Sequence, residues 1–151
     1  MTNLITDANV RTLLQVDTLL AMGLMSMTGY TSLVRKSQKV YATPEDYALN
    51  RVALPAVVPP QVDEPVARSR RIHQNHLENV VPFLVLNALF ALTEPGHGLF
   101  ASLLWGYLAL RVVYTLCYSR GIQPYRTLAF TLGMLIQVTM AVLTLLAAFS
   151  A

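Results

Sequence analysis

Four apolar stretches dominate the chain: Leu13 to Val34, Leu77 to Thr93, Leu99 to Tyr118 and Leu128 to Phe149. Each approaches the roughly 20 residues that carry an α-helix across a bilayer. The sequence therefore predicts an all-α membrane protein, a bundle of four transmembrane helices over residues 12–34, 65–93, 99–119 and 124–149. Composition supports this reading, because 54% of the residues are hydrophobic and only 13% charged, against about a quarter charged in an ordinary soluble domain. With 151 residues in all, four spans leave space for one sizeable loop and no separate soluble catalytic module. A single integral membrane domain, residues 1–151, is expected, and any chemistry must use the helices and their ends.

The opening "MTNLITDANVRTLLQVDTLL" lacks the basic n-region and the small-residue cleavage site of a secretory signal, so the first stretch is expected to stay as a membrane helix. The second helix is expected to begin outside the hydrocarbon, because Asp63-Glu64-Pro65 supplies acidic residues and a proline suited to a helix start. Glu94-Pro95-Gly96 and Ser119-Arg120-Gly121 end the second and third helices in short connections, the latter with a glycine able to take positive φ. Residues 35–64 form the loop. Pro44, Pro55, Pro59 and Pro60 predict an extended or irregular path through it.

Arg35, Lys36, Lys39, Arg51, Arg68, Arg70 and Arg71 lie between the first and second helices, and Arg120 and Arg126 between the third and fourth. The connection from Glu94 to Gly98 has no Lys or Arg. By the positive-inside rule the first and third connections face the cytoplasm and both termini face the other side. The net charge of +3 is thus a topological signal. Nucleic acid is not an expected partner, since no aromatic stacking platform accompanies "ARSRRIH".

Polar residues recur at helical spacing within these apolar stretches. Arg71, Asn75 and Glu78 stand at i, i+4 and i+7, and Arg111, Thr115 and Tyr118 repeat those intervals with Tyr114 beside them. A bare charge inside a bilayer costs several kcal/mol, so Glu78 and Arg111 are expected to pair with each other or to line a wet cavity. The pair is read either as an interhelix salt bridge or as part of a site. In "GIQPYRTLAF", Pro124 suits the first position of a helix and puts Arg126 and Thr127 in its first turn. The positive end of the helix and a fixed guanidinium favour an anion there, with a lipid phosphate as the other candidate partner. Arg35, Arg71, Arg111 and Arg126 with Asn75, Glu78 and two tyrosines suit a small ligand carrying carboxylates and an amine, so a peptide-like cofactor fits better than a metal. No metal site is expected: His73, His76 and Glu78 do not have the order or spacing that brings three ligands together. Cys117, the sole cysteine, is read as a packing residue.

The segments "KVYATPED" (39–46), "RIHQNHLENVVPFL" (71–84), "RVVYTLCY" (111–118) and "QPYRTLAF" (123–130) resemble, in order, a known family: the membrane-associated proteins in eicosanoid and glutathione metabolism. The likeness covers residues 13–149 and is greatest to the microsomal glutathione transferase and prostaglandin E synthase branch. It implies a homotrimer of four-helix bundles, with glutathione as cofactor held between subunits near the cytoplasmic side. It implies that Arg35, Arg71, His73, Asn75, Glu78, Arg111, Tyr114, Tyr118 and Arg126 match glutathione-site positions. Arg126 would stabilise the thiolate, and Asp46 matches an aspartate implicated in the synthase chemistry. Thr127 keeps a hydroxyl beside Arg126 where the synthase has serine. Gln74, His76, Tyr114 and Phe130 depart from the synthase pattern and move the reading toward the transferase. The expected function is conjugation of glutathione to a lipophilic electrophile from the membrane, with lipid hydroperoxide reduction as an additional activity. The alternatives are a glutathione-dependent isomerase of prostaglandin-synthase type, a non-catalytic lipid-binding scaffold, and a structural four-helix protein.

Overall fold

A computed structural model describes residues 7–54 and 64–150. Pro55, Pro59, Pro60 and Asp63 lie outside the described residues, as does the opening hexapeptide. The chain forms α1 (Ala8–Gln38), α2 (Pro44–Leu49), α3 (Glu64–Ala91), α4 (His97–Arg120) and α5 (Tyr125–Ser150). Four of these are long, and α4 and α5 are long and apolar enough to cross a membrane. In α1 and α3 polar residues interrupt the apolar run, and both fall short of that measure. Helix α1 packs on α3, α3 on α5, α5 on α4 and α4 on α1, with α3 and α4 also touching across the bundle.

Helix α1 is longer than the apolar stretch because both ends are capped. Asp7 accepts from the backbone N–H groups of Asn9 (2.7 Å) and Val10 (3.1 Å), and Lys39 closes the other end in the left-handed region at φ 54°. The loop is not wholly irregular. Thr43 caps α2 by accepting from the Asp46 N–H at 3.3 Å, Pro44 opens the helix, and Glu45 and Asp46 complement its positive end. The Glu45 carboxyl is held below its ordinary range by its own backbone N–H and by the Thr43 hydroxyl.

The buried face of α3 runs through Ser69, Ile72, His76, Asn79, Val80, Phe83, Asn87 and Phe90. This three-and-four spacing presents one seam to the bundle. Phe83 stacks on Tyr107 of α4, centroids 3.7 Å apart and planes at 5°, and Val16, Leu20, Leu104 and Met140 complete the core around them. Asn87 donates to Asp17 at 2.6 Å and ties α3 to α1 within this apolar layer. At one end Asn9 donates to the Pro95 carbonyl (2.8 Å) and bonds His97 (2.9 Å). The α3–α4 turn is therefore fastened beside the start of α1, and the basic connections gather at the opposite end.

Gly121 ends α4 at φ 70°, with the Gly121 and Ile122 N–H groups donating to the carbonyls of Tyr118 (3.1 Å) and Cys117 (2.8 Å). Gly121→Ala is expected to cost about 1–2 kcal/mol for the left-handed backbone, since the new Cβ also stands 3.0 Å from Arg68 Nη1. Unfolding in mixed micelles checks this; a variant as stable as the parent would show that the turn is not held in this conformation.

Candidate functional site

The polar residues of α3, α4 and α5 meet at the loop end in two layers. The inner layer is centred on Arg111, which is only 3% exposed. Its Nε donates to the Tyr107 hydroxyl (2.9 Å) and its Nη1 to Asn75 Oδ1 (3.0 Å). Tyr107 sits one helical turn before Arg111, and its hydroxyl donates onward to the Asn79 carbonyl at 2.8 Å. The guanidinium also lies over the Tyr107 ring at 5.0 Å and the Tyr114 ring at 5.6 Å, a placement that favours a desolvated cation. His76 bonds Thr115 at 2.8 Å, while the Thr115 hydroxyl donates to the Arg111 carbonyl at 2.8 Å. Because that hydroxyl proton is spent on the carbonyl, His76 Nε2 is the donor to Thr115, which sets the ring tautomer.

The outer layer is built around Tyr118. The Arg126 guanidinium lies over its ring at 4.5 Å, and Tyr114 meets the same ring edge-on at 5.5 Å. Arg126 and Thr127 fall in the first turn of α5. Helix α5 starts at Tyr125, so Pro124 stands just ahead of it and its carbonyl accepts from the Leu128 N–H at 3.1 Å. The Gln123 amide joins both residues, its NH2 toward the Thr127 hydroxyl (3.0 Å) and its oxygen accepting from Arg126 Nε (3.2 Å) and Nη2. Arg126 Nη1 makes no hydrogen bond among the described residues. Arg71 bonds Glu64 at 3.0 and 3.1 Å, ahead of the apolar part of α3. Glu64, and after it Tyr118, raise the Arg71 guanidinium above its ordinary value.

The expected Glu78–Arg111 pair is absent among the described residues. Glu78 is exposed and accepts from Gln74, one turn earlier on the outer face of α3, at 2.9 Å. Asn75, at the inner edge of the same stripe, supplies the oxygen that Arg111 takes instead. The stripe Arg71, Asn75, Glu78 is thus divided between two surroundings. His73 is half-buried and makes no hydrogen bond among the described residues. Arg35 lies in the last turn of α1 and Asp46 in α2, and neither has a polar side-chain contact with the set among the described residues. No group of three His, Cys, Asp or Glu side chains able to hold a metal occurs among the described residues, and Cys117 is a free, partly buried thiol. Sequence reasoning missed Tyr107 and Gln123. Both were signalled by position, Tyr107 four residues before Arg111 and Gln123 four before Thr127, where a helical or turn backbone brings side chains together.

Fold and site together define an all-helical protein with bilayer-length apolar helices and a cluster of arginines and tyrosines at one end of the bundle. The MAPEG family model matches residues 13–146, and the chain belongs to that family. It is 34% identical over 125 residues to microsomal glutathione S-transferase 1 of Sus scrofa, covering 82% of this chain and 81% of the relative. The human protein of that name is 31% identical over the same length, with the same coverage of each chain. Prostaglandin E synthase of Equus caballus is 30% identical over 125 residues, covering 82% of this chain and 79% of the relative.

Proposed function

We propose that this chain is a membrane-bound glutathione transferase that stabilises the glutathione thiolate and conjugates it to lipophilic electrophiles. The carrying observation is Arg126, fixed against Tyr118 and by Gln123 in the first turn of α5, with Nη1 unengaged among the described residues. A thiol with an ordinary pKa of about 8.5 is mostly protonated at neutral pH, and a guanidinium beside a helix N-terminus shifts it toward the thiolate. In the proposed reaction the thiol proton passes to water, the sulfur attacks an electrophilic carbon, a C–S bond forms and the leaving group departs with its electron pair. Thr127 presents a hydroxyl beside that sulfur. Arg35, Arg71, His73, Glu78 and Tyr118 are the proposed contacts to the carboxylates, amine and amides of glutathione. Arg111, Asn75 and Tyr114 belong to the same proposed set, and Arg111, by bonding Asn75, also ties α4 to α3.

The reading extends to four membrane spans, a homotrimer with glutathione between subunits, and the basic connections on the cytoplasmic side. The bilayer-facing site would admit electrophiles, and lipid hydroperoxides, from the hydrocarbon. The membrane would be endoplasmic reticulum in a eukaryote and inner membrane in a bacterium. The isomerase reading draws on the prostaglandin E synthase relative and on Asp46, which stands on α2 without a polar contact to Arg126 among the described residues.

The test uses the purified full chain. Adding glutathione should produce thiolate absorbance, and chlorodinitrobenzene should then be conjugated. If neither signal appears, the transferase reading fails and a lipid-binding or structural role takes its place. Glu78→Ala is expected to weaken glutathione binding about tenfold, the equivalent of about 1.4 kcal/mol, with turnover at saturation little changed. Unaltered affinity in an equilibrium binding measurement would remove Glu78 from the site.

A further inference from the structure

Four residues close a ring of hydrogen bonds between α3 and α4. Arg111 donates from Nη1 to Asn75 Oδ1 (3.0 Å) and from Nε to the Tyr107 hydroxyl (2.9 Å). That hydroxyl donates to the Asn79 carbonyl (2.8 Å), and Asn79 Nδ2 donates to the Asn75 carbonyl (2.8 Å). Tyr107, Asn79 and Arg111 are buried, and the Tyr107 ring is pinned in the apolar core by its stack on Phe83. Asn75 is the member of the ring that reaches the surface. It is half-buried, and its Nδ2 is open to the outside and donates to nothing among the described residues.

The two ends of an asparagine amide have nearly the same shape and opposite hydrogen-bonding character, so a half-turn decides which is offered outward. A guanidinium only donates. Arg111 therefore selects Oδ1 and turns the NH2 of Asn75 away, toward the outer stripe that also carries Arg71 and Glu78. For Arg111 alone, aspartate at this position would be the better partner, because it would give a buried cation its counter-anion. What asparagine has and aspartate lacks is the outward NH2.

We propose that Tyr107 is a positioning residue for glutathione recognition. Through Arg111 it fixes the Asn75 amide with its NH2 toward the ligand, where it meets an acceptor oxygen, a carboxylate or an amide carbonyl of the peptide. The ligand's identity rests on the transferase reading. Tyr107 itself touches no ligand. Without its hydroxyl, Arg111 Nε loses its partner, the guanidinium loosens between the Tyr107 and Tyr114 rings, and the Asn75 amide is free to turn over. An acceptor would then face an acceptor. Arg126 stands on α5 outside this ring, so stabilisation of the bound thiolate does not depend on it.

The experiment uses the full chain in phosphatidylcholine nanodiscs and titrates glutathione calorimetrically at high salt, where repulsion between separated charges is screened. The titration yields both the Kd and the number of sites per chain. Tyr107→Phe is expected to weaken the Kd about five- to tenfold, with turnover per occupied site and thiolate absorbance at saturation close to the wild type. A purely structural role would lower the number of sites and leave the Kd of the folded protein unchanged. Asn75→Asp keeps the Oδ1 acceptor and supplies Arg111 with a counter-anion, so it should unfold no more easily than the parent. It should nevertheless weaken glutathione binding about 10–100-fold, because the outward donor has become an acceptor. The glycine monoethyl ester of glutathione identifies the oxygen: a penalty that shrinks with the ester assigns it to the glycine carboxylate, and one that persists assigns it elsewhere on the peptide. Either result upholds the donor role. A wild-type Kd in Tyr107→Phe or in Asn75→Asp overturns the inference while leaving the transferase reading intact, whereas a wild type that binds no glutathione overturns both.

Discussion

Arg126→Ala is expected to lower glutathione-conjugating turnover by about 10²–10³-fold, the usual loss when one fixed donor is withdrawn from a developing or stabilised anion. Glutathione affinity should change far less, because Arg71 and the other loop-end contacts remain. The asymmetry follows from geometry: Arg126 is held in place before any ligand arrives. Its guanidinium lies over Tyr118 at 4.5 Å and accepts the orientation set by Gln123. A cation fixed in advance contributes its full charge to the thiolate without reorganisation.

The test has a second readout besides rate. In the wild type, thiolate absorbance should develop on binding glutathione at neutral pH. In Arg126→Ala the bound thiol should ionise only at higher pH, near its ordinary value of about 8.5. Arg126→Lys restores charge but not the planar fork that meets both the Tyr118 ring and the Gln123 oxygen, so it should recover only part of the activity. Gln123→Leu removes the brace but leaves the charge and should fall between the wild type and the alanine variant. If Arg126→Ala lost binding and turnover in equal proportion, the residue would be a glutathione anchor and not the thiolate stabiliser.

Much of this arrangement could be read from residue order. The long helices follow from apolar length, and the positive φ at Gly121 follows from a glycine placed after Ser119-Arg120. The short helix α2 is masked by the prolines of the loop in which it lies. Thr43-Pro44-Glu45-Asp46 nevertheless carries a cap, a first-turn proline and two first-turn acids, all of which favour a helix over six residues. The division of the α3 stripe was less legible. Arg71, Asn75 and Glu78 share a face by spacing alone, but which of them meets Arg111 depends on the rotation of α3 about its axis. The stacking of Phe83 on Tyr107 marks that rotation, and no local signal encodes it. The same rotation explains His76: it lies on the buried seam with Ile72, Asn79 and Phe83 and bridges α3 to α4 through Thr115.

Tyr107→Phe is expected to destabilise the protein by about 2–4 kcal/mol, a large effect for the loss of one oxygen atom, because it leaves two buried groups unpaired. The hydroxyl accepts from Arg111 Nε and donates to the Asn79 carbonyl. Phenylalanine keeps the stack on Phe83 and the ring beneath the guanidinium, so packing loss contributes little. What remains is an arginine with one of its two neutral hydrogen bonds removed, in a place where its Nη2 already has no partner among the described residues. Adding Arg111→Met should then recover at least part of the loss, since the orphaned cation is removed and an apolar side chain of similar length fills its place. The double variant should be more stable than Tyr107→Phe alone. Reversible unfolding in mixed micelles, followed by the helical circular dichroism signal, measures all three proteins on one scale. A Tyr107→Phe variant within about 0.5 kcal/mol of the parent, the ordinary range for a harmless surface change, would mean that water enters the bundle and satisfies Arg111.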